Sequence, residues 1–200
     1  VGFLVADGGN REQGAAVRYG APLGNGGHYR IYGKYSDRNH TSTASDKAVR
    51  DDWNKAQAGF RADWSSAQEQ FTLQGDAYRG DLDQISVPSA ARISGLNLLS
   101  RWNRKLANGS SFNLSAYYDR TERNFPGSYH ETLDIVDVQL QHAWQPIGAH
   151  SIVWGARYRQ AIDQMDNSNT LAFLPAYLKQ TWGGVFVQDE GELRSDLRLT

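Results

Sequence analysis

Short turns recur about every forty residues along this chain, and they constrain its fold more than any other feature. Each turn joins two runs of roughly ten residues in which apolar and polar side chains alternate, the pattern of a half-buried β-strand. The opposite connections are longer, polar and irregular. A transmembrane β-barrel has short turns at one end and long loops at the other, whereas a soluble sandwich has no physical reason to keep its ends so different. We place the turns at Gly24-Asn25-Gly26-Gly27, Ser65-Ser66-Ala67-Gln68, Ala107-Asn108-Gly109-Ser110, Gln145-Pro146-Ile147-Gly148 and Gly191 to Ser195.

Composition excludes several classes of protein. The chain of 200 residues is 40% hydrophobic and 22% charged with a net charge of −1, which does not indicate disorder or a polybasic nucleic-acid binder. It contains no cysteine, so a disulfide framework and a thiolate metal site are excluded. No apolar stretch approaches the ~20 residues of a membrane-spanning helix. The mean hydropathy of −0.62 still permits a barrel, because lipid-facing and lumen-facing residues alternate and cancel.

Five segments alternate cleanly between an apolar and a polar face. The side chains Tyr29, Ile31, Gly33 and Tyr35, for example, share one face of the first segment, and Arg30, Tyr32 and Lys34 the other. These five predicted strands are His28 to Tyr35, Asn54 to Trp64, Gln70 to Gly80, Ser111 to Arg120 and Ser151 to Ala161.

Other segments alternate less cleanly. Leu99 and His142 lie on the wrong face of their strands, and the pattern assigns no face to the strand Thr181 to Glu190. The less regular strands are Gly95 to Leu106, Thr132 to Trp144, Thr181 to Glu190 and Gly14 to Ala21, with a further one beginning at Val1. The sequence therefore predicts about 10 to 11 strands in an antiparallel meander.

The two ends of the predicted sheet have different chemistry. Trp64, Trp102 and Trp144 all end strands that run toward the short turns, which is typical of an aromatic girdle at a membrane interface. Large aromatic residues could equally cap the core of a soluble sheet. The long connections are expected at about Ser36 to Asp52, Gly80 to Arg92, Thr121 to Glu131 and Asp163 to Pro175.

Several strings in consistent order along the whole chain resemble the barrel of TonB-dependent outer-membrane receptors. These strings are AAVRYGAPLGNGGHYRIYGKY, GFRADW, FTLQGDAYRG, LSRWNRKLANGSSFNLSAYYDRTER and GVFVQDEGELRSDLRLT. The resemblance implies an all-β fold, a partial antiparallel transmembrane barrel with short periplasmic turns and long extracellular loops.

Receptors of this family have an N-terminal plug domain, a box that engages TonB, and a barrel of twenty-two strands. By analogy, residues 1–200 form the N-terminal half of such a barrel, without the plug or the C-terminal half, and the chain reads as a fragment. The resemblance implies a Gram-negative outer-membrane protein, surrounded by lipid, that takes up a scarce nutrient such as a ferric siderophore or cobalamin. TonB would act through the missing plug region, and neither a cofactor nor a nucleic acid is expected.

The resemblance also suggests where a ligand would bind. We expect contacts from polar-face residues on the strands that run toward the long loops, near the loop end of each strand. Cations at these positions could pair with an anionic chelate, and tyrosines could stack on it. The same side chains could instead contact the plug or form ion pairs in the lumen. The predicted ligand-binding residues are Lys34, Asp76, Tyr78, Tyr117, Asp119, Arg157 and Arg159.

No catalytic or metal-binding pattern accompanies these residues. The five histidines lack the close spacing of metal ligands, and no nucleophile, base and acid occur in a recognisable arrangement, so we predict a non-enzyme without a metal site. Two other classes remain open. One is a passive porin or an autotransporter-type barrel, and the other is a soluble carbohydrate-binding β-sandwich with exposed Trp and Tyr as sugar platforms.

Overall fold

The strands that the structure describes belong to one antiparallel sheet. A computed structural model describes residues 1–85, 87–144, 150–194 and 197–200. Within these residues each strand pairs with its neighbour in the chain, in the order β1 to β11. The strands are β1 Gly2–Gly8, β2 Glu12–Gly24, β3 Gly27–Arg38, β4 Trp53–Ser65, β5 Glu69–Leu82, β6 Ala91–Lys105, β7 Ser111–Phe125, β8 Tyr129–Trp144, β9 His150–Asn167, β10 Tyr177–Arg194 and β11 Leu197–Leu199.

The meander confirms the predicted fold class. Every predicted strand is present, but most are longer than the alternating run that revealed them, and β9 and β10 each have 18 residues. Only strands adjacent in sequence contact each other among the described residues, so no second sheet covers either face and the alternative of a β-sandwich is wrong. No described helix has the length and apolar character to cross a bilayer.

The short turns have the chemistry that tight hairpins require. Asn25 and Gly26 connect β2 to β3 with φ angles of 49° and 74°, the left-handed values that a two-residue type I′ turn needs. In the β6–β7 turn the side chain of Asn108 accepts hydrogen bonds from the Ser110 backbone N–H at 3.1 Å and from its hydroxyl at 2.7 Å. Local sequence therefore fixes both reversals.

Two of the predicted connections are wrong, and one predicted turn lies outside the described residues. The segment Thr121 to Glu131 is mostly strand, because β7 and β8 continue pairing up to Phe125 opposite Tyr129 and reverse over residues 126–128. Gly191 belongs to β10 rather than to a turn, since it pairs with both His150 and Leu199. The predicted turn Gln145 to Gly148 lies outside the described residues, as does Ser195.

The remaining long connections are shorter than expected because strand pairing continues into their polar ends. They span residues 39–52, 83–90 and 168–176, and Ser86 within the second is not described. The first connection contains a small hairpin in which Ser42 pairs with Ala48 and the Val49 N–H donates to the Thr41 carbonyl at 2.8 Å.

The register assigns one face of the sheet as apolar and the other as polar. Residues directly opposite each other share a face, and this rule places Val185 beside Ala156 and Leu140 on the apolar face. This apolar face is open: Val185 is 85% exposed and Ile31 50% exposed. Most of the other exposed large apolar strand residues also lie there, namely Leu4, Val17, Tyr19, Tyr35, Phe60, Leu96, Leu98, Val136, Val138, Trp144, Trp154, Tyr158 and Val187.

Aromatic side chains gather on the apolar face near the short turns. The ring centroids of Trp64 and Phe71 lie 5.7 Å apart, and Trp102 on β6 lies directly opposite Phe71. His142 stacks on Phe112 with ring centroids 4.2 Å apart and accepts a hydrogen bond from the Trp154 indole N–H at 3.0 Å. The histidine that breaks the apolar pattern is therefore a member of this aromatic level.

Within the described ranges, five aromatic rings lie directly over a glycine of the neighbouring strand. A Cβ built at Gly155 would lie 2.5 Å from Cε1 of Phe186 and 2.8 Å from the Leu140 carbonyl oxygen. Because a real Cβ needs more room, a larger residue beneath one of these rings would force the ring or the neighbouring backbone to shift. The pairs are Trp64 over Gly27, Tyr32 over Gly59, Phe60 over Gly75, Tyr78 over Gly95 and Phe186 over Gly155.

Candidate functional site

The seven predicted ligand-binding residues all lie on the polar face, in two separate groups. Tyr117, Asp119, Arg157 and Arg159 come together on β7 and β9, which both pair with β8. Asp76 and Tyr78 lie on β5, and Lys34 lies two strands away on β3. The register therefore does not bring all seven side chains into one site.

Asp137 of β8 is the centre of the first group, although the sequence did not identify it. It is 6% exposed, and its Oδ2 accepts from Arg157 Nε at 3.1 Å and from Nη2 at 2.5 Å. Arg159 Nη1 lies 3.9 Å from the same oxygen, and Gln139 donates to Oδ1 at 2.9 Å. We call Tyr117, Asp119, Asp137, Arg157 and Arg159 the polar cluster.

The acidic and aromatic members of the polar cluster interact locally. The Tyr117 hydroxyl donates to Asp119 Oδ1 at 2.9 Å, and the Thr121 hydroxyl donates to Oδ2 at 3.3 Å. Tyr117 is also the direct cross-strand partner of Asp137. The cluster thus contains two hydrogen-bonded carboxylates, Asp119 and Asp137, and the two arginines both lie beside Asp137.

Two exposed aromatic rings extend this surface onto β10. The guanidinium of Arg159 lies 5.9 Å from the Trp182 ring, within the range of a cation–π contact. Trp182 and Phe186 are 47% and 50% exposed on the polar face. A cavity of about 470 Å³ is lined by Arg157, Arg159, Trp182, Gly183 and Gly184. A cation, an indole face and a glycine floor together suit a planar ligand that carries negative charge.

The second group is held together mainly by Tyr32. Its hydroxyl bonds to Asp76 and accepts a hydrogen bond from the Gln57 side-chain amide at 2.8 Å. Nearby, Lys55 Nζ lies 4.6 Å from the centroid of the Tyr78 ring. Asp76 and Tyr78 thus interact with other residues of the wall, whereas Lys34 makes no hydrogen bond or ion pair with any described residue.

Sequence reasoning missed both Asp137 and Trp182. It considered strands that run toward the long loops, whereas β8 and β10 run the other way. A signal was available for Asp137, a carboxylate that alternates with the apolar residues Val136 and Val138 and therefore lies on the polar face. No sequence signal placed Trp182, because the face of its strand depends on pairing with β9.

The loop end of the sheet is ordered by its own contacts. Tyr129 stacks on Phe125 at 5.2 Å and meets the edge of Phe173 at 5.6 Å, which joins the β7–β8 turn to the β9–β10 connection. Asp51 accepts from the Thr41 N–H at 2.7 Å and from its hydroxyl at 2.6 Å. These hydrogen bonds lower the pKa of Asp51 below its ordinary value of 3.8.

His130 and His150 contact carboxylates at separate places in the sheet. His130 places its two ring nitrogens 3.2 Å from Glu122 and 3.2 Å from Asp166, and His150 lies 2.9 Å from Asp189. Over the described ranges, no group of three or more His, Asp or Glu side chains is arranged to hold a metal ion.

Comparison with known proteins reveals similarity in structure but not in sequence. No protein-family model and no curated protein matches the chain. Among solved structures, the siderophore receptor PirA from Pseudomonas aeruginosa matches 92% of this chain and 31% of its own, with 14% identity and a TM-score of 0.63. The copper transporter OprC matches 98% of this chain and 34% of its own, with 12% identity and a TM-score of 0.66. The outer membrane transporter YddB from Escherichia coli matches 90% of this chain and 31% of its own, with 11% identity and a TM-score of 0.60.

These matches establish the fold. The chain spans about a third of the length of the proteins it matches. At this level of identity the matches confirm the predicted architecture, and the matched proteins are receptors and transporters. The eleven-stranded sheet has the fold of one part of these outer-membrane receptor and transporter structures.

Proposed function

We propose that this chain forms part of the wall of an outer-membrane receptor, with its apolar face toward lipid and its polar face toward the lumen. The observation that carries this proposal is the open apolar face, because water does not favour so many exposed large apolar side chains on one surface. The aromatic level near the short turns supports the same orientation, since tryptophan and other aromatic rings concentrate at membrane interfaces.

The receptor would take up a scarce nutrient, such as a ferric siderophore or cobalamin, by TonB-dependent active transport. The chain would correspond to the N-terminal half of the barrel, and TonB would act through a plug domain. Support comes from the shared fold with siderophore receptors and a copper transporter, and from the polar cluster beside Trp182. In the lumen, Arg159 and Trp182 would contact an anionic chelate through charge and ring stacking.

Single cysteines on β8 test the orientation of the sheet. The chain has no native cysteine, so Val138→Cys and Gln139→Cys introduce one thiol each on adjacent residues that face opposite ways. In intact outer membranes we expect a membrane-impermeant, water-soluble maleimide to label the Gln139 site much faster than the Val138 site. A lipid-confined probe should show the reverse preference. Equal labelling at both positions would contradict the proposed faces.

Uptake measurements test the transport function. Cells that express the full-length gene product should accumulate a supplied ⁵⁵Fe-labelled siderophore or labelled cyanocobalamin, and deletion of TonB should abolish the uptake. Trp182→Ala and Arg159→Gln should weaken ligand binding, while Arg79→Gln, a matched cation on the apolar face, should not. Uptake that persists without TonB would instead support a passive barrel.

A further inference from the structure

The connections at the loop end of the sheet contact one another in series. At the start of this series, the Asn39 backbone N–H donates to the Arg11 carbonyl at 2.8 Å, and the Asn39 side-chain amide donates to the Asn10 carbonyl at 3.4 Å. The first connection is therefore joined to the second. We call the described residues of these connections the rim, namely 9–11, 39–52, 83–85 with 87–90, 126–128 and 168–176.

Arg50 joins the second connection of the rim to the third. Its Nη2 donates to the Pro88 carbonyl at 2.8 Å and lies 3.4 Å from Asp83 Oδ2. In the opposite direction, the Asp83 backbone N–H donates to the Asp52 carbonyl at 2.8 Å. A hydrogen bond from a charged donor is stronger than one between neutral groups. These two connections are thus held together by donors from both sides.

Gly127 is the central link of the rim. Val87 Cγ2, in the third connection, lies 3.8 Å from the position that a Cβ of Gly127 would occupy. On the other side, the Thr170 hydroxyl of the fifth connection donates to the Gly127 carbonyl at 3.0 Å, and the Tyr129 and Phe173 rings meet beside it. The φ angle of Gly127 is 80°, a left-handed value that glycine adopts without steric cost. The fourth connection therefore contacts both of its neighbours.

We propose that the rim undergoes local opening as one cooperative unit rather than as five independent loops. Proteins open locally in contiguous units whose hydrogen bonds break together. Each link described above joins one connection to the next, so an opening that starts in one connection removes contacts of its neighbour. A solute that orders any one connection would then also stabilise the others. The proposal concerns the loop end alone and does not depend on which nutrient is transported.

Hydrogen exchange of backbone amides in the full-length gene product tests this cooperativity. The amides of Val49, Ser128 and Phe173 report on three separate connections, because each donates a hydrogen bond within its own connection or to the strand beside it. Arg50→Gln removes the charged donor to the Pro88 carbonyl, so exchange of Val49 should speed up by about tenfold. In a cooperative unit the other two amides should speed up by the same factor, because all three share one free energy of opening.

Substitutions at both ends of the series have matched controls. Lys47→Gln is the control for Arg50→Gln, because Lys47 lies in the same connection and its described hydrogen bonds are made by its backbone. Exchange in this control should stay within about twofold of the unmodified protein, since an exposed charge contributes little. Thr170→Val removes the hydroxyl that donates to Gly127, so exchange of the distant Val49 amide should speed up by about fivefold. Thr170→Ser keeps the hydroxyl and should leave exchange unchanged.

Gly127→Ala tests the central link directly. A side chain at a φ of 80° is strained, so exchange of Val49 and Phe173 should speed up by about fivefold. Gly109→Ala is the control, because Gly109 has a φ of 82° but lies in the β6–β7 turn at the opposite end of the sheet, and it should leave both amides unchanged.

The distant amides decide the outcome. The proposal is overturned if Arg50→Gln leaves Phe173 unchanged, if Thr170→Val or Gly127→Ala leaves Val49 unchanged, or if a control acts as strongly as its matched substitution. Each of these results would mean that the connections open independently.

Discussion

Replacing Gly155 by alanine should destabilise the sheet, and the structure indicates by how much. The new Cβ would lie 2.5 Å from Cε1 of Phe186 and 2.8 Å from the Leu140 carbonyl oxygen. The ring can rotate away, but the carbonyl belongs to the β8 backbone and cannot move without disturbing the ladder. Overpacking of this kind costs about 1–3 kcal/mol. Lower entropy of the unfolded chain offsets about 0.4–1 kcal/mol, and the midpoints of the two ranges give an expected net loss of about 1.3 kcal/mol.

A second glycine provides the control. A Cβ at Gly184 meets nothing within 4 Å, and this residue lies on the same face of the adjacent strand. Gly184→Ala should therefore leave the free energy of unfolding unchanged or raise it by up to about 1 kcal/mol. The measurement is reversible guanidinium unfolding of the full-length gene product in lipid vesicles, followed by tryptophan fluorescence.

A double-mutant cycle isolates the contribution of the ring. In the Phe186→Ala background, the cost of Gly155→Ala should fall by at least about 0.5 kcal/mol, because only the contact with the Leu140 carbonyl remains. The reasoning is refuted if Gly155→Ala is as stable as the unmodified protein. It is also refuted if the cost is the same with and without the Phe186 ring.

Three further substitutions test other contacts. His142→Ala removes the stack on Phe112 and the acceptor of the Trp154 indole N–H, so the free energy of unfolding should fall by about 1–2 kcal/mol and Trp154 fluorescence should change. His142→Phe should recover part of the lost stability. No change in either variant would contradict this role of His142. Asp137→Asn leaves Arg157 and Arg159 side by side without a neutralising carboxylate, so the free energy of unfolding should fall by about 1–2 kcal/mol. Asp166 is an exposed carboxylate near His130, and Asp166→Asn should lower the free energy of unfolding by less than about 1 kcal/mol in the same assay. The pKa of Asp51 is lower in the folded state than in the unfolded state, so its stabilisation of the residue 39–52 connection is complete above the unfolded value near 3.8. That stabilisation is lost as the pH falls through the lower folded value. Exchange of the Thr41 amide hydrogen should therefore speed up below about pH 4, and Asp51→Asn should remove that pH dependence.

The sequence predicted the strands well because alternation is a local property. The chemistry of Asn25 and Gly26 likewise predicted their turn from the residues alone. The ends of strands were harder to predict. Polar residues from Thr121 to Arg123 resemble a loop in composition, yet backbone pairing with β8 keeps them extended. Backbone hydrogen bonds hold such a segment without any apolar pattern, so composition alone places the loop boundary too early.

Contacts between strands could not be predicted in the same way. The stack of His142 on Phe112 and the position of Phe186 over Gly155 depend on which residues lie opposite each other. Register is set by all the turns together, and one residue of slip would exchange the two faces. Asp137 was missed because the search followed strand direction, while the lining of a groove comes from strands of both directions.

The structure describes an odd number of strands, and this number limits how the sheet can assemble with itself. In an antiparallel meander β1 and β11 run in the same direction, so the two edges have equal polarity. Two copies set side by side in one orientation would bring β11 of the first against β1 of the second as parallel strands, which an all-antiparallel ladder does not allow. A closed antiparallel cylinder that contains these eleven strands needs further strands whose first and last members both run opposite to β1 and β11, and a second copy in the same orientation fails this requirement of direction.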